Sequence, residues 1–262
     1  MRNWKTYIIS LLNRTDRRSN ILSTMDWLDY TFIDAVPGSD INVSKLIKAG
    51  VLNESFYDPS GAANKNIIGC SLSHIKAWVK FKESGESIGL ILEDDVVYTP
   101  SYNLEELQPD IDKLDWDVIY LGKHEKYITG LAETKMVSRV LYGHGGWGAH
   151  AYLINQTSVD KLIAKYQPIK LAVDVFIDHM TDEWNIFTVN KSQFRQAGYD
   201  IKRVIDSNGY WGKKSDSDTF LNIKNLTKLT VDEIVESIEV SNYSDHKDHI
   251  PNRGWIKFNI KK

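Results

Sequence analysis

Three consecutive carboxylates, Glu93, Asp94 and Asp95, directly follow a short apolar run at residues 90–92. Such a run is typical of a strand that is covered on both faces. Carboxylates at the end of a buried strand are costly unless a cation or hydrogen-bond donors face them. Because side chains alternate along an extended segment, we expect Glu93 and Asp95 to share one side and Asp94 to face the other.

This oxygen-rich triplet is the kind of ligand set that hard divalent cations prefer. Mg2+ and Mn2+ usually take one or two protein carboxylates and complete their shell with water and substrate phosphates. The carboxyl end of a strand also favours a ligand, since open α/β sheets bind ligands there. The pattern therefore predicts a cation site suited to a nucleotide diphosphate. A solvated acidic turn is the alternative that these residues leave open.

A second candidate site follows the first predicted strand, residues 6–12, and contains three arginines and an asparagine. Fork-shaped guanidinium groups beside a helix start can bind a nucleotide phosphate or base, together with the N–H groups of the helix terminus. Asn13, Arg14 and Arg17 are the candidates for binding the nucleotide. A solvated charged loop is the alternative, and we favour it for Arg18 more than for Asn13 or Arg14.

Small residues and a histidine lie at the start of another predicted helix. We predict that this helix begins with Ser71 as its N-cap, near residues 71–82. Gly69 would permit a close backbone approach, and Ser73 and His74 would supply hydrogen-bond donors to a ligand. Cys70 is the only cysteine, so we expect no disulfide framework and no thiolate metal site, and a thiol that is packed rather than reactive.

Asp174 and Asp178 stand four residues apart on a predicted helix, residues 174–183, and therefore share a face. A carboxylate there could take the proton of an acceptor hydroxyl, although a solvated acidic face is the default. Residues 143–148 form a glycine-rich loop that lacks the Gly-Lys-Ser/Thr ending of a P-loop. Trp147 could stack against a sugar there, and ordinary turn chemistry is the alternative.

The composition limits the class of protein. The formal net charge is -3 over 262 residues, and no long basic run is interleaved with aromatics, which argues against nucleic-acid binding. The N-terminal apolar run is too short for a signal peptide, and no segment approaches transmembrane length, so we expect a cytoplasmic protein. The basic, aromatic tail at residues 254–262 could contact an anionic membrane surface. An edge strand or a frayed end is the alternative.

The order of apolar runs predicts an α/β domain over residues 1–200, with a less regular C-terminal extension, residues 201–262, that packs on it. An exposed hairpin or lid is expected at residues 123–139. The expected strands are residues 6–12, 30–35, 116–122, 149–154 and 184–189, besides the one that ends at Glu93. The expected helices are a segment ending near residue 27 and residues 44–49, 71–82, 158–166, 174–183 and 231–238.

Taken together, these blocks resemble glycosyltransferase family 25, the group that contains bacterial lipooligosaccharide galactosyltransferases and relatives of the collagen galactosyltransferases. The most specific part is a Gly-Cys-x-Leu-Ser-His block at residues 69–74, followed some twenty residues later by Leu-Glu-Asp-Asp at residues 92–95. The other matching blocks are residues 9–18, 33–38, 120–122, 151–154 and 173–174.

The resemblance implies a GT-A fold, that is, a Rossmann-type mixed sheet flanked by helices. It also implies a nucleotide-sugar donor, usually UDP-galactose, and inversion at the anomeric carbon. It makes Glu93, Asp94 and Asp95 the motif for Mn2+ or Mg2+, with Asp95 as a direct ligand. As a hypothesis, Asp174 deprotonates the acceptor, which would be a glycan, a lipooligosaccharide or a protein, as in lipopolysaccharide biosynthesis.

Two other functions compete with this hypothesis. One is a non-catalytic carbohydrate- or nucleotide-binding scaffold that kept the fold and lost turnover, and the intact acidic block speaks against it. The other is a metal-dependent phosphoryl hydrolase, which would need a second acidic-histidine cluster that the sequence does not show. The histidines also lack a common zinc-binding spacing, so a structural zinc site is not expected.

Overall fold

A computed structural model describes residues 4–59, 63–100, 102–122, 129–140 and 148–197. Within these ranges, eight strands form one mixed sheet in the order β2-β1-β3-β8-β5-β9-β7-β6, and β4 and β10 form a separate antiparallel ribbon. The strands are β1 Trp4–Ser10, β2 Tyr30–Asp34, β3 Ile88–Glu93, β4 Val96–Tyr98, β5 Val118–Tyr120, β6 Thr129–Ala132, β7 Val137–Val140, β8 Ala151–Asn155, β9 Ile186–Val189 and β10 Phe194–Gln196.

The helices connect these strands and cover the sheet on both faces. They are α1 Thr15–Thr24, α2 Val43–Lys48, α3 Lys65–Ser84, α4 Gln108–Ile111, α5 Gln156–Lys165 and α6 Val173–His179, with short 3-10 turns at Gly38–Asp40, Glu54–Phe56 and Leu104–Leu107. Among the described helices, none has the length and apolar character needed to cross a lipid bilayer.

The direction of the strands places the carboxyl ends of several strands at one edge of the sheet. β1 is parallel to both β2 and β3, and β8 runs antiparallel between β3 and β5. In this register Ser10 pairs with Asp34, and Ile9 pairs with Glu93. The carboxyl ends of β1, β2 and β3 therefore meet, which is the edge where α/β sheets bind ligands.

The alternation of side chains along the strands builds one hydrophobic core on each face of the sheet. Helices α3, α5 and α6 cover one core, and α1 and α4 cover the other. The predicted α/β class, a GT-A-like mixed sheet flanked by helices, is confirmed. The first core includes Tyr7, Ile91, Tyr120, Tyr152, Leu72, Trp78 and Leu162, and the second includes Ile8, Leu90, Leu92, Ile119, Leu153, Ile21 and Ile111.

Helix α3 begins six residues before the predicted N-cap. Asn64 caps the helix by accepting hydrogen bonds from two backbone amides of the first turn, and Ser71 lies inside the helix. The prediction that Ser71 starts the helix is therefore wrong. Gly69 weakens the local helical signal, yet the packing requires it, because a Cβ there would lie 2.5 Å from the carbonyl oxygen of Val36.

Most other predicted elements are present with shifted ends. The hairpin predicted within residues 123–139 is formed by β6 and β7, but it is not wholly exposed, because β7 pairs with β9 and buries Val137 and Ser138. The helix predicted at residues 174–183 is shorter and ends at His179. Strands β4 and β10 were not predicted. The glycine-rich loop up to residue 147, the helix at residues 231–238 and the C-terminal extension lie outside the described residues.

Candidate active site

The carboxylate triplet lies at the end of β3 and divides between the two faces of the sheet. Asp94 accepts hydrogen bonds from Ser10 Oγ at 2.8 Å and Arg17 Nη1 at 2.7 Å. Arg17 belongs to α1, whereas Glu93 contacts His74 of α3 on the opposite face. The prediction that Glu93 and Asp94 face opposite sides is confirmed.

Asp95 does not follow the predicted alternation. The strand ends at Glu93, and residues 94–95 form a turn, so the side-chain alternation of a strand no longer applies. Asp95 Oδ2 lies 3.4 Å from Arg17 Nη1 and accepts a hydrogen bond of 3.3 Å from Gln196 Nε2 of β10. Asp94 and Asp95 therefore share one guanidinium group, which departs from the expectation that Glu93 and Asp95 share one side and Asp94 faces the other.

Asp95 is the least compensated carboxylate of this group. Its Oδ1 atom is buried and has no hydrogen-bond partner among the described residues. Burial raises the pKa of Asp95 to about 7, repulsion from Glu93 and Asp94 adds to this shift, and Arg17 opposes it. An additional cation at Asp95 would stabilise the ionised form, because opposite charge favours ionisation.

A chain of buried hydrogen bonds orients Glu93. Trp78 Nε1 donates to Tyr152 Oη at 2.8 Å, and Tyr152 Oη lies 2.8 Å from His74 Nδ1. The indole can only donate, so the hydroxyl proton is available to Nδ1, and Nε2–H of His74 then donates to Glu93 Oε1 at 3.3 Å. Burial acts to raise the pKa of Glu93, but this hydrogen bond and nearby positive charge outweigh it and lower the pKa. Glu93 is therefore held as an anion.

The arginines after β1 have different environments. Arg14 makes a bidentate ion pair with Asp16, at 2.9 and 2.8 Å, and lowers the pKa of Asp16 to about 2. Arg18 donates to the carbonyl of Ser10 at 2.9 Å and to Asp34 Oδ1 at 2.6 Å. Its side chain is only 17% exposed, so the interpretation of Arg18 as a solvated loop residue is wrong.

Asn13 and Ser73 are two further residues predicted to bind the nucleotide-sugar donor. Asn13 is half-buried in the turn between β1 and α1. The hydroxyl of Ser73 donates to the carbonyl of Gly69 at 2.6 Å and accepts from the amide of Val36 at 2.8 Å. Ser73 thus joins α3 to the segment after β2. Donor binding by Asn13 and Ser73 stays a prediction.

Of the two predicted catalytic aspartates, Asp174 lies closer to the acidic cluster. It is in the first turn of α6, where Oδ1 accepts from the amide of Val175 at 2.8 Å. Burial raises the pKa of Asp174, and the charge of Glu93 raises it further. Asp178 instead accepts a hydrogen bond of 3.4 Å from Tyr120 Oη. The structure therefore gives the two aspartates different surroundings, with Asp174 subject to the charge of Glu93, and their catalytic roles stay predictions.

Comparison with known proteins gives the family of the chain. Residues 3–177 match the family model described as glycosyltransferase family 25, LPS biosynthesis protein. The chain belongs to this family. The matched region contains the carboxylate triplet, Arg17, His74 and Asp174, whereas Asp178 is the first residue beyond it and Gln196 lies further along the chain.

Three relatives illustrate the range within family 25. The chain is 32% identical to the probable inactive glycosyltransferase 25 family member 3 of Bos taurus and 34% identical to the inactive member 3 of Mus musculus, in each case over 68% of this chain and 32% of the relative. It is 27% identical to procollagen galactosyltransferase 1-A of Xenopus laevis, over 86% of this chain and 40% of the relative. The chain thus spans about a third of the length of the first two relatives and two fifths of the third.

Some residues of this family 25 site were missed by the sequence reasoning. His150 is buried, its carbonyl accepts the amide of Glu93 at 2.9 Å, and burial lowers the pKa of its imidazole. A Cβ on Gly122 would lie 2.4 Å from His150 Nε2, so the glycine two residues after β5 was the available signal. Tyr152 lies in a block that resembles the family, but its contacts depend on strand pairing, and Gln196 carried no sequence signal.

Proposed function

We propose that this family 25 protein transfers a sugar, with UDP-galactose as the donor, to a hydroxyl group of a glycan, lipid-linked or protein acceptor by a single inverting displacement. The observation that carries the proposal is Asp95, a partly buried carboxylate whose buried Oδ1 lacks a hydrogen-bond partner among the described residues. It lies beside Arg17, where the ends of β1 and β3 meet. The edge combines a place for a cation with a fixed positive charge, as a sugar diphosphate requires.

The residues fit a hard divalent cation unequally. Asp95 fits best. Its Oδ1 has no hydrogen-bond partner among the described residues, and a cation would offset the burial and the charge of Glu93 that oppose its ionisation. Asp94 already accepts from Ser10 and Arg17, and Glu93 is engaged with His74 on the other face. Asp95 would therefore hold Mn2+ or Mg2+, with Asp94 next and Glu93 last. When bound, the ion would neutralise charge on the diphosphate leaving group.

Arg17 is the side chain that would bind the donor phosphates from the protein side. Its side chain is 27% exposed, and one of its nitrogens lies within 3.4 Å of both Asp94 and Asp95. A guanidinium has five N–H donors, so Arg17 can keep this ion pair and still donate to a phosphate oxygen. Arg14 is the next candidate, although its pairing with Asp16 occupies one side of its fork.

Asp174 would act as the general base. Burial and the charge of Glu93 raise its pKa above the ordinary value of an aspartate, which makes the carboxylate a stronger base near neutral pH. Its Oδ1 accepts from the amide of Val175, which leaves Oδ2 to accept the proton of the acceptor hydroxyl. The deprotonated oxygen attacks the anomeric carbon, the bond to the diphosphate breaks, and the configuration inverts.

The main competing function is a non-catalytic nucleotide- or carbohydrate-binding protein. The names of two relatives, which call them inactive, favour this alternative. It predicts donor binding without turnover, so binding and turnover must be measured separately.

The test uses the whole chain, a panel of nucleotide sugars, and each sugar with and without Mn2+. A ligand that binds the folded state raises the melting temperature, and release of UDP from UDP-galactose reports turnover without knowledge of the acceptor. We expect Asp95→Asn to abolish Mn2+-dependent UDP release with the fold intact. The exposed Asp182→Asn is the matched control and should keep wild-type turnover. Stabilisation by UDP-galactose without any UDP release would support the non-catalytic alternative.

A further inference from the structure

A second cluster of metal-ligating groups lies on the α3 face of the site. Cys70 and His74 are four residues apart on α3, and both contact Glu93 at the end of β3. Cys70 Sγ lies 3.8 Å from Glu93 Oε1, and His74 Nε2 lies 3.3 Å from the same oxygen. The three ligand atoms all lie within 4.8 Å of one another. The fold therefore brings a thiol, an imidazole and a carboxylate together at one point.

Two of the three separations match those of a tetrahedral site. With bonds of about 2.3 Å to sulfur and about 2.1 Å to nitrogen and oxygen, neighbouring ligand atoms lie about 3.4 Å apart for N and O and about 3.6 Å apart for S and O. The observed separations of 3.3 and 3.8 Å differ from these values by a few tenths of an ångström. The third pair, the Cys70 sulfur and the His74 nitrogen, lies within 4.8 Å, so side-chain shifts would bring all three atoms onto one ion.

The surroundings of His74 resemble the support that metal-bound histidines receive. Tyr152 Oη lies 2.8 Å from His74 Nδ1, and Trp78 fixes that hydroxyl from its other side. A partner on the second ring nitrogen sets the orientation of a ligating imidazole. The phenolic oxygen can accept as well as donate, so Tyr152 can accept the Nδ1 proton while Nε2 binds an ion.

Charge and access also suit a cation at this cluster. Besides Glu93, the carboxylates of Asp95 and Asp174 contribute negative potential at the Cys70 thiol. Cys70 is partly exposed, and the Glu93 side chain is 22% exposed, so an ion can reach both. A thiolate and an imidazole select zinc over magnesium or manganese, which prefer oxygen ligands only.

We propose that Cys70, His74 and Glu93 form a binding site for Zn2+, with the fourth ligand position left to water or a substrate oxygen. This site is centred on α3 rather than on Asp95, shares with the proposed hard-cation position only Glu93, its least favoured ligand, and does not depend on transferase activity. It would revise the expectation of no thiolate metal site, which rested on Cys70 being the only cysteine, and the expectation of no structural zinc site, which rested on histidine spacing. Two ligands lie one helical turn apart and the third follows nineteen residues after His74 on a strand, so no common zinc motif is present.

Cobalt is the most direct probe, because the chain contains a single cysteine. Any sulfur-to-cobalt charge-transfer band from the tag-free, full-length protein must therefore come from Cys70. We expect Co2+ to produce this band with one ion per chain, and Zn2+ to displace it. Cys70→Ser should abolish the band, and His74→Gln and Glu93→Gln should weaken Co2+ binding. The half-buried His179 lies outside the cluster, so His179→Gln should bind as wild type does.

Two further measurements keep the proposal testable if a buried variant fails to fold. Zn2+ should slow alkylation of Cys70 in the wild-type chain, whereas Mg2+ should not. Tyr152→Phe should keep the cobalt band but weaken binding by about 10- to 100-fold, the usual effect of removing support from a ligating histidine.

The proposal is overturned if folded wild-type protein gives no cobalt band, if Zn2+ leaves the alkylation rate unchanged, or if folded His74→Gln and Glu93→Gln bind Co2+ as tightly as wild type. Asp95→Asn separates this site from the proposed transferase function. It should lose Mn2+-dependent turnover and retain the cobalt band.

Discussion

Replacement of Gly69 by alanine tests the packing of α3 against the segment after β2. Helix propensity alone predicts that Gly69→Ala stabilises the protein, because alanine is favoured over glycine by about 1 kcal/mol inside a helix. The tertiary packing predicts the opposite. The added Cβ would lie 2.5 Å from the carbonyl oxygen of Val36, a backbone atom that can yield only if its chain moves.

The size of the effect follows from three contributions. Overpacking at a tight contact costs about 1–3 kcal/mol. A shift of Val36 would also strain the hydrogen bond from its amide to Ser73 Oγ, now 2.8 Å, and an unsatisfied buried donor costs about 1–3 kcal/mol. After the gain of about 1 kcal/mol in helix propensity, the net loss is about 1–5 kcal/mol. For a protein of this size each kcal/mol lowers the melting temperature by about 2–4 °C.

Thermal and urea denaturation of Gly69→Ala, Ser73→Ala and the double variant provide the assay. Ser73→Ala removes the hydroxyl without adding a clash, so it isolates the contribution of the hydrogen bond. The two substitutions act on the same Val36 contact, and their effects should therefore be less than additive. An increase in the stability of Gly69→Ala would refute the reasoning, because it would mean that helix propensity outweighs the packing.

Three other predictions concern the site. Burial raises the pKa of Asp95 to about 7 from an unfolded value of about 3.9. The folded protein therefore binds a proton more tightly than the unfolded chain does, and it loses stability as the pH rises between these two values. Urea unfolding at several pH values should show that Asp95→Asn removes this loss. Asp174→Asn should lower the transfer rate by about 10²- to 10⁴-fold, the usual contribution of a general base, with donor affinity unchanged, and an unchanged rate would assign the base elsewhere. Arg18→Gln should lower the free energy of unfolding by about 1–3 kcal/mol, because it breaks charged hydrogen bonds to Ser10 and Asp34. A loss near zero in urea denaturation would contradict the conclusion that Arg18 joins β1 to β2.

Local patterns were enough to place most of the elements. The apolar run at residues 90–92 predicts β3 because a doubly covered strand has no polar face, and the period of Leu72, Ile75 and Trp78 identifies the buried face of α3. The start of α3 could not be predicted in the same way. Gly69 lowers helix propensity, and its reason for being there is the backbone of Val36, which is distant in the sequence.

The chemistry of single side chains was predictable only in part. The carboxylates were recognised as candidates for a site, because charge at the end of a buried strand needs a partner. Which partner each one has was not predictable. Arg18, which looks like a loop residue, is tied to Asp34 because β1 and β2 are parallel and adjacent.

The sequence by itself determined the α/β class, the two-sided burial of the sheet and the family resemblance, since each depends on local periodicity or on short motifs. The tertiary structure decided how Glu93, Asp94 and Asp95 divide. The strand ends at Glu93, so Glu93 faces His74 and Cys70, whereas Asp94 and Asp95 turn toward Arg17. The physical reason is that a carboxylate's role depends on the charges and donors around it, and those come from elements far apart in the chain.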